Sequence, residues 1–381
     1  MTGNEPEVLV IGEGLSGITA AAAAQSQGSH VTLVSTGPGT FILGTASLDL
    51  RGLDAAEVRF SEHGPQTIQE AITFFLELTA SAGCAYEGSV RERRLVPTIM
   101  GTFQEVSLAP VSLWKGDPRS VEKAVIVGIE NMSGFDPNFV AERLSLHSKQ
   151  MGYSTSYRGV TVQALENDKH ALTTTEIATR LDRDPGYRAA VVAAFTPAIK
   201  DAQLLIIPGI LGMNSDDDDI RRFEDDIGCA VCELATLPPS VPGLRLLRRL
   251  ERRLAELGVD VCTGFSVQKL CMEGDRCTGA VLDTPGRPRT IYADAVILAA
   301  GRFSQLLDDD SPDMKTSRRA SSFNRELQPV NNDGLVMATN VFECGSILRK
   351  FESRHGNAIA VVTGYHAAMQ ANERGVHYAG R

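Results

Sequence analysis

The chain has 381 residues, 43% of them hydrophobic, and a formal net charge of −10. That length carries a large core, in two domains or one sizeable discontinuous one, and the acidic balance argues against a general nucleic-acid surface while leaving small anionic substrates open. No apolar run reaches the ~20 residues of a bilayer span, "MTGNEPEV" lacks the features of a secretion signal, and seven cysteines without framework spacing match a reducing cytoplasm.

The run Val8 to Ile11 predicts a strand that enters a turn carrying Gly12, Gly14 and Gly17. "ITAAAAAQSQG" then predicts a small-residue helix ending at Gly28, and "HVTLVS" a second strand. Strand, glycine turn and helix within about thirty residues form the context in which G-x-G-x-x-G means a phosphate. Gly12 permits the tight turn, Gly14 lets backbone approach the phosphate, and Gly17 lets the helix pack closely on the sheet. The helix start, with Leu15 and Ser16, offers N–H groups and a positive dipole end to an anion. A dinucleotide site ordinarily adds an acidic residue at the end of the second strand for the adenosine ribose. Ser35 stands there, with no carboxylate nearby, so a phosphate is expected and the adenosine is left open.

"TGPGTFILGTASLDLRGLD" is rich in glycine and threonine and has no clear period. It reads as an active-site loop lying against a flat ligand, with an ordinary connection as the plain alternative. Positions from about 56 to 225 read as a separate mixed region. "GPQTIQEAITFFLELTASAG" is an amphipathic helix with a glycine stop, "KAVIVGIE" a buried strand, and "FDPNFVAERLSLHSKQMG" a helix begun by Asp136 with Pro137 in its first turn. "LTTTEIATRLDRDPGYRAAVVAAFTPAIKDAQLLIIPGI" predicts helices feeding a strand. The run Asp216 to Asp219 reads as a solvated turn near a helix N-terminus, because four consecutive carboxylates fan outward and do not converge on a metal.

From about 229 the pattern returns to strand, proline-stiffened turn and long helix. Leucines 244, 247, 250, 254 and 257 keep helical spacing while arginines 245, 248, 249, 252 and 253 occupy much of the remainder. Those arginines read as a solvated face, with a partner or anionic-lipid surface as the alternative. "ADAVILAAG" is a strand running into Gly301, where backbone comes close to a ligand. "GNAIAVVTGYHAAMQANERG" is a final helix preceded by Gly356, whose start presents free N–H donors to negative charge. Cys229 and Cys232 form C-x-x-C, but in a strand residues three apart face opposite ways, so buried thiols are expected rather than a zinc or redox pair. His355 and His366 are the candidates for moving protons.

"VLVIGEGLSG", "GTASLDL", "VPTIMGT", "IVGIENMSGFD", "ATLPPSVPGLRL", "ILAAG" and "NVFECGSI" occur in this order along the chain. In that order and context the sequence resembles the B subunits of anaerobic, quinone-linked sn-glycerol-3-phosphate dehydrogenases, from the first strand to the last helix. "TASLDL" and "TLPPSVPGLRL" are the specific parts, whereas the glycine fingerprint and "ILAAG" belong to flavoproteins at large. The second strand-to-glycine element at "ADAVILAAG", far from the first, predicts a domain assembled from both chain ends, residues 1–55 and 226–381, with a mixed α/β domain inserted over 56–225. With the resemblance, the expected fold is α/β, the assembled domain being Rossmann-like and flavin-binding with a parallel sheet. The resemblance implies FMN, which suits the missing acid at position 35, with FAD the alternative. Gly12, Gly14 and Gly17 would then hold a flavin phosphate, and Gly301, Gly345 and Ser346 line the flavin. Leu15, Ser16, Ser35, Thr45, Ala46, Ser47, Gly356 and Asn357 complete the candidate cofactor set.

Family partners are an FAD-containing A subunit and an iron–sulfur C subunit that contacts the membrane. The expectation is therefore a cytoplasmic flavin subunit, peripheral to the membrane through its partners, carrying electrons from glycerol 3-phosphate or a related hydroxy compound toward iron–sulfur clusters and quinone. No C-x-x-C-x-x-C pattern provides a cluster in this chain. The family has a run of glycines before the last helix, whereas "RKFESRHGNA" keeps only Gly356 and adds Arg354 and His355. The segment after "ILAAG" is also short and polar. Both departures favour a flavin-bearing subunit over glycerol 3-phosphate itself as substrate. Two other readings remain: a self-sufficient flavin dehydrogenase of a small hydroxy acid or phosphate ester, using His355 or His366 with Arg349 or Arg354 as anion clamp, and a scaffold without cofactor.

Overall fold

The computed structural model describes residues 7–51, 53, 64–163, 171–301, 322–348 and 355–376. Two compact units divide the chain: Met1–Thr40, Leu50–Leu78 and Leu250–Arg381 make the first, and Phe41–Asp49 with Thr79–Arg249 the second.

The first unit begins as the pattern predicts, with β1 (Val8–Glu13), α1 (Leu15–Ser26) and β2 (Val31–Pro38). β1 lies between β2 and the strand Ala295–Leu298; Asp260–Thr263 flanks β2 and Val341–Glu343 flanks Ala295–Leu298, all parallel. Numbered along the chain, the order is 3-2-1-4-5, the Rossmann arrangement, whose switch point falls between β1 and the Ala295 strand. Apart from the exposed edge strand Asp260–Thr263, these strands bury apolar side chains on successive residues, with α1 and the final helix, and the strands Ser266–Glu273 and Arg276–Asp283, packed against them. α1 has no polar stripe, and Leu15 to Ala24 are buried throughout, as in a helix enclosed on all sides. Its small residues admit the final helix, Gly356–Val376, so closely that a Cβ on Gly364 would lie 2.3 Å from the Ser16 carbonyl oxygen. An antiparallel ribbon of Ser266–Glu273, Arg276–Asp283 and Arg289–Tyr292 follows the Asp260 strand. The helix Gly64–Ser81 sits mainly with this unit, its Phe74 ring 5.4 Å from that of Tyr365 on the final helix.

The second unit has its own parallel sheet, ordered Ala230–Glu233, Leu204–Ile207, Lys123–Ile129, Ser156–Val162. Alternate residues of these strands bury in opposite directions. Val125, Val127, Leu205, Ile207 and Val231 pack with Ile177, Val191, Phe195, Ile220 and Phe223 of the helices Thr174–Arg183, Pro185–Ile199 and Asp217–Ile227. Ala124, Ile126, Leu204, Ile206 and Cys232 pack with Val140, Ala141 and Leu144 of the helix Pro137–Gln150. Asp136 caps that helix by accepting from the N–H groups of Asn138 and Phe139. Asp216 and Asp219 form a capping box at the start of Asp217–Ile227, so the acidic run is a helix start.

The sequence boundary at 226 lies elsewhere in the structure. Ala230–Glu233 pairs in register with Leu204–Ile207 and belongs to the second unit's sheet. An apolar strand buried on both faces carries no local mark of which sheet it joins. The long helix Val241–Leu257 divides at Leu250 between the units. On it Leu247, Leu250 and Leu254 are buried as the spacing predicts, but the solvated arginine face needs correction. Arg245 is 4% exposed and forms a two-pronged pair with Glu233 at 2.7 and 2.9 Å, while its Nε donates to the Gly212 carbonyl.

Candidate cofactor site

In open α/β sheets, ligands bind outside the carboxyl ends of the strands at the switch point. There the first unit brings three backbone segments together. Gly12 has φ of +114°, and a Cβ on it would lie 2.4 Å from the Ala299 carbonyl oxygen. A Cβ on Gly17 would meet the Gly12 carbonyl oxygen at 1.9 Å. Gly14 differs: its φ is −76°, and the nearest atom to a Cβ is the Ser16 hydroxyl at 4.0 Å. Gly14 is the N-cap of α1 without a side-chain cap, and no acidic residue occupies the first turn. The turn therefore offers what a phosphate cradle needs, glycine backbone and a positive dipole end, with the Ser16 hydroxyl the one group among the described residues within 4 Å of a Gly14 Cβ.

The third segment follows Val341–Glu343. Gly345 is left-handed at φ +74°, with a Cβ position 2.3 Å from the Ser16 hydroxyl, and its N–H donates to Thr363 Oγ1 on the final helix at 2.8 Å. Gly301, at φ +79°, has its Cβ position 3.8 Å from the Ser346 hydroxyl. Thus Gly12 to Gly17, Ala299 to Gly301 and Gly345 with Ser346 converge, and the final helix packs behind Ser16. Gly356 and Asn357 open that helix, and a Cβ on Gly356 would meet no other described residue within 4 Å.

Of the two histidines, His355 is buried immediately before the final helix begins. His366 lies ten residues beyond Gly356, about 15 Å along the axis at the α-helical rise. Its Nε2 lies 3.2 Å from the carbonyl oxygen of Arg325, so its ring is engaged with backbone remote from the helix start. Arg349 and Arg354, and residues 302–321, lie outside the described residues.

Thr45, Ala46 and Ser47 belong to the second unit. Ala46 is left-handed at φ +57°, and its carbonyl accepts from the Tyr86 hydroxyl at 2.9 Å. Leu48 bridges to Leu108. A Cβ on Gly243 would lie 2.9 Å from the Ile42 Cα, so the start of the "VPGLRL" helix closes on the segment leading into "TASLDL". Beyond the ends of two strands of the second sheet, Met132, Leu172 and Ile210 are buried in one apolar cluster with Ile129 and Ile207.

All seven cysteines are free thiols. Cys229 and Cys232 pack on opposite faces of their sheet, and burial raises both thiols. Burial pushes Cys344 up to about 12 against the opposing hydrogen bond with Ser16, so it is a neutral packing group. Among the described residues no group of three or more His, Cys, Asp or Glu side chains is placed to hold a metal ion. No described helix is long and apolar enough to cross a membrane.

Glu13, the residue between the first two glycines, is the feature that sequence reasoning missed. It is 2% exposed, and its Oε2 accepts from the hydroxyls of Ser35 at 2.7 Å and Thr263 at 3.2 Å. The expectation that no carboxylate stands near Ser35 is therefore overturned. The only advance signal was a charged residue inside an otherwise small, apolar turn.

Residues 237–341 match the family model described as FAD binding domain. The chain is 27% identical to the B subunit of the probable anaerobic glycerol-3-phosphate dehydrogenase of Halobacterium salinarum, over 97% of this chain and 98% of that one. It is 25% identical to the B subunit of the anaerobic glycerol-3-phosphate dehydrogenase of Actinobacillus pleuropneumoniae, over 96% and 98%. Among solved structures, the 3-ketosteroid delta1-dehydrogenase of Sterolibacterium denitrificans is 15% identical, with a TM-score of 0.35, covering 78% of this chain and 48% of that one. Along nearly its whole length the chain resembles the B subunits of anaerobic glycerol-3-phosphate dehydrogenases.

Proposed function

We propose that the first unit binds a flavin and that the chain is the flavin subunit of a multi-subunit oxidoreductase. In that role it takes electrons originating in glycerol 3-phosphate or a related hydroxy compound and passes them toward an iron–sulfur partner and quinone. The observation that carries this reading is the meeting of the glycine turn, Ala299 to Gly301 and Gly345 with Ser346 at the switch point of a 3-2-1-4-5 parallel sheet. The near full-length likeness to proteins whose names make them one component of a larger enzyme supports an assembly with partner chains. Through such partners the chain works at the inner membrane face.

When bound, the flavin supplies the redox chemistry. The residues of this chain bind and orient. Backbone from Gly14 to Gly17 holds phosphate at the start of α1. Gly345 and Ser346 bring backbone against the ring system, with the left-handed turn at Gly345 fixed by Thr363. The start of the final helix, at Gly356 and Asn357, directs its positive dipole end toward developing negative charge. His355, buried beside that start, is the residue assigned to hold and pass a proton.

The test is the absorbance spectrum of the purified chain, followed by chromatography of what denaturation releases. A yellow protein that yields stoichiometric flavin is expected. A colourless chain that takes up neither FMN nor FAD on addition overturns the proposal and leaves the scaffold reading.

A further inference from the structure

We propose that Glu13 is the acceptor for the ribose hydroxyls of an adenine-nucleotide-bearing flavin, so that this site is built for FAD although Ser35 occupies the usual acidic position. The inference rests on the flavin reading above and deepens it.

Three observations carry it. The first is place. Ser35, three residues before the end of β2, is the register partner of Thr263, the last residue of the neighbouring strand Asp260–Thr263. Both hydroxyls donate to Glu13 Oε2, so the carboxylate stands beside Ser35, in the carboxyl-terminal half of β2, the part of the strand from which the acidic residue of a dinucleotide site ordinarily meets the ribose. Ser35 thus borrows from the glycine turn the group that it lacks.

The second is an incomplete set of hydrogen bonds. While Oε2 accepts two, Oε1 is buried and finds no partner among the described residues. A carboxylate oxygen withdrawn from water without a donor is costly, and buried polar groups in folded proteins are rarely left so. The missing partner is a donor, and a ribose offers two adjacent hydroxyls, a match for one carboxylate. FMN has no adenosine and would leave this oxygen unsatisfied.

The third is aim. The Gly39 N–H donates to the Glu13 carbonyl at 3.1 Å, and Glu13 pairs with Pro38 across a register shift between β1 and β2. Those bonds hold the Glu13 backbone against β2, while Gly12 and Gly14 on either side belong to the phosphate cradle. One turn therefore presents N–H groups to phosphate and a carboxylate to the sugar attached to it.

The experiment compares FAD with FMN by flavin fluorescence titration, and ADP with 2′,3′-dideoxy-ADP by calorimetry, on the full chain and on Glu13→Gln. Wild type is expected to bind FAD at least about tenfold more tightly than FMN. Losing a hydrogen bond to a charged group costs about 10- to 100-fold in affinity. Glu13→Gln is expected to weaken FAD and ADP by that factor and to leave FMN within about twofold. Removing the ribose hydroxyls should cost wild type the same factor and cost the variant nothing further. Ser35→Ala, which removes one donor to the carboxylate, provides a second variant should Glu13→Gln unfold, and is expected to weaken FAD selectively by a smaller factor. Equal affinities for FAD and FMN in wild type overturn the role of Glu13 while leaving the flavin reading intact. Equal weakening of both flavins, or tighter binding of both by Glu13→Gln, also overturns it. If wild type binds no flavin at all, both proposals fall.

Discussion

The three glycines of the amino-terminal turn do different work, and the contrast yields a test. Gly17 has no room for a side chain, since a Cβ would overlap the Gly12 carbonyl oxygen at 1.9 Å. Gly17→Ala is expected to destabilise the fold by about 2 kcal/mol or more through overpacking against backbone. Gly14 has ordinary φ and open space around its Cβ position. Gly14→Ala should change stability by less than about 1 kcal/mol, yet weaken flavin binding about tenfold by holding phosphate off the backbone. Melting temperature and flavin titration on the two variants separate these effects; similar melting losses in both would contradict the assignment of Gly14 to the ligand. Motif spacing alone made these positions legible. Glu13 was not legible as a partner of Ser35, because 22 residues of chain separate them and only the parallel pairing of β1 with β2 closes the gap.

At the level of elements, helix starts were readable because caps are local. Asp136 and Asp216 cap their helices within three residues of themselves. Arg245 was misread because helical spacing reports which face it occupies, not what that face meets. It meets Glu233 at the end of the strand Ala230–Glu233, and Glu233 also accepts from the Leu211 N–H. Burial alone would push the Glu233 carboxyl up, but the charge and hydrogen bonds of Arg245 with the Leu211 N–H hold it below its usual range. Arg245→Ala leaves that carboxylate buried and unpaired, and is expected to cost about 3–5 kcal/mol at pH 7. Because the folded value lies below the unfolded one, the stabilisation is complete above about pH 4.5 and is lost as pH falls through the folded value. The gap between wild type and variant should therefore narrow below about pH 4.5 in urea unfolding. A gap that is constant with pH would remove Glu233 from the explanation.

For the whole molecule, the described residues build two larger parallel sheets, ordered 3-2-1-4-5 and 2-1-3-4, and the first brings glycine backbone together at its switch point. Ligand bound by folded protein alone stabilises it by mass action, about 2.7 kcal/mol when present at a hundred times its dissociation constant. Saturating flavin is expected to raise the thermal transition accordingly in calorimetry, and Gly14→Ala to blunt that rise. No shift with either FMN or FAD would count against a flavin site in the first unit.

The sequence alone determined the elements and much of the site, because strand runs, glycine turns and caps are short-range consequences of side-chain shape and backbone freedom. It also carried the likeness to the B subunits of glycerol-3-phosphate dehydrogenases in motifs spread along the chain. Tertiary structure decided which sheet Ala230–Glu233 joins, that Thr45 to Ser47 fold with the second unit, and that the Glu13 carboxylate stands beside Ser35. Each of these is a pairing between distant segments, set by burial and hydrogen-bond satisfaction across the fold, and no window of neighbouring residues contains both partners.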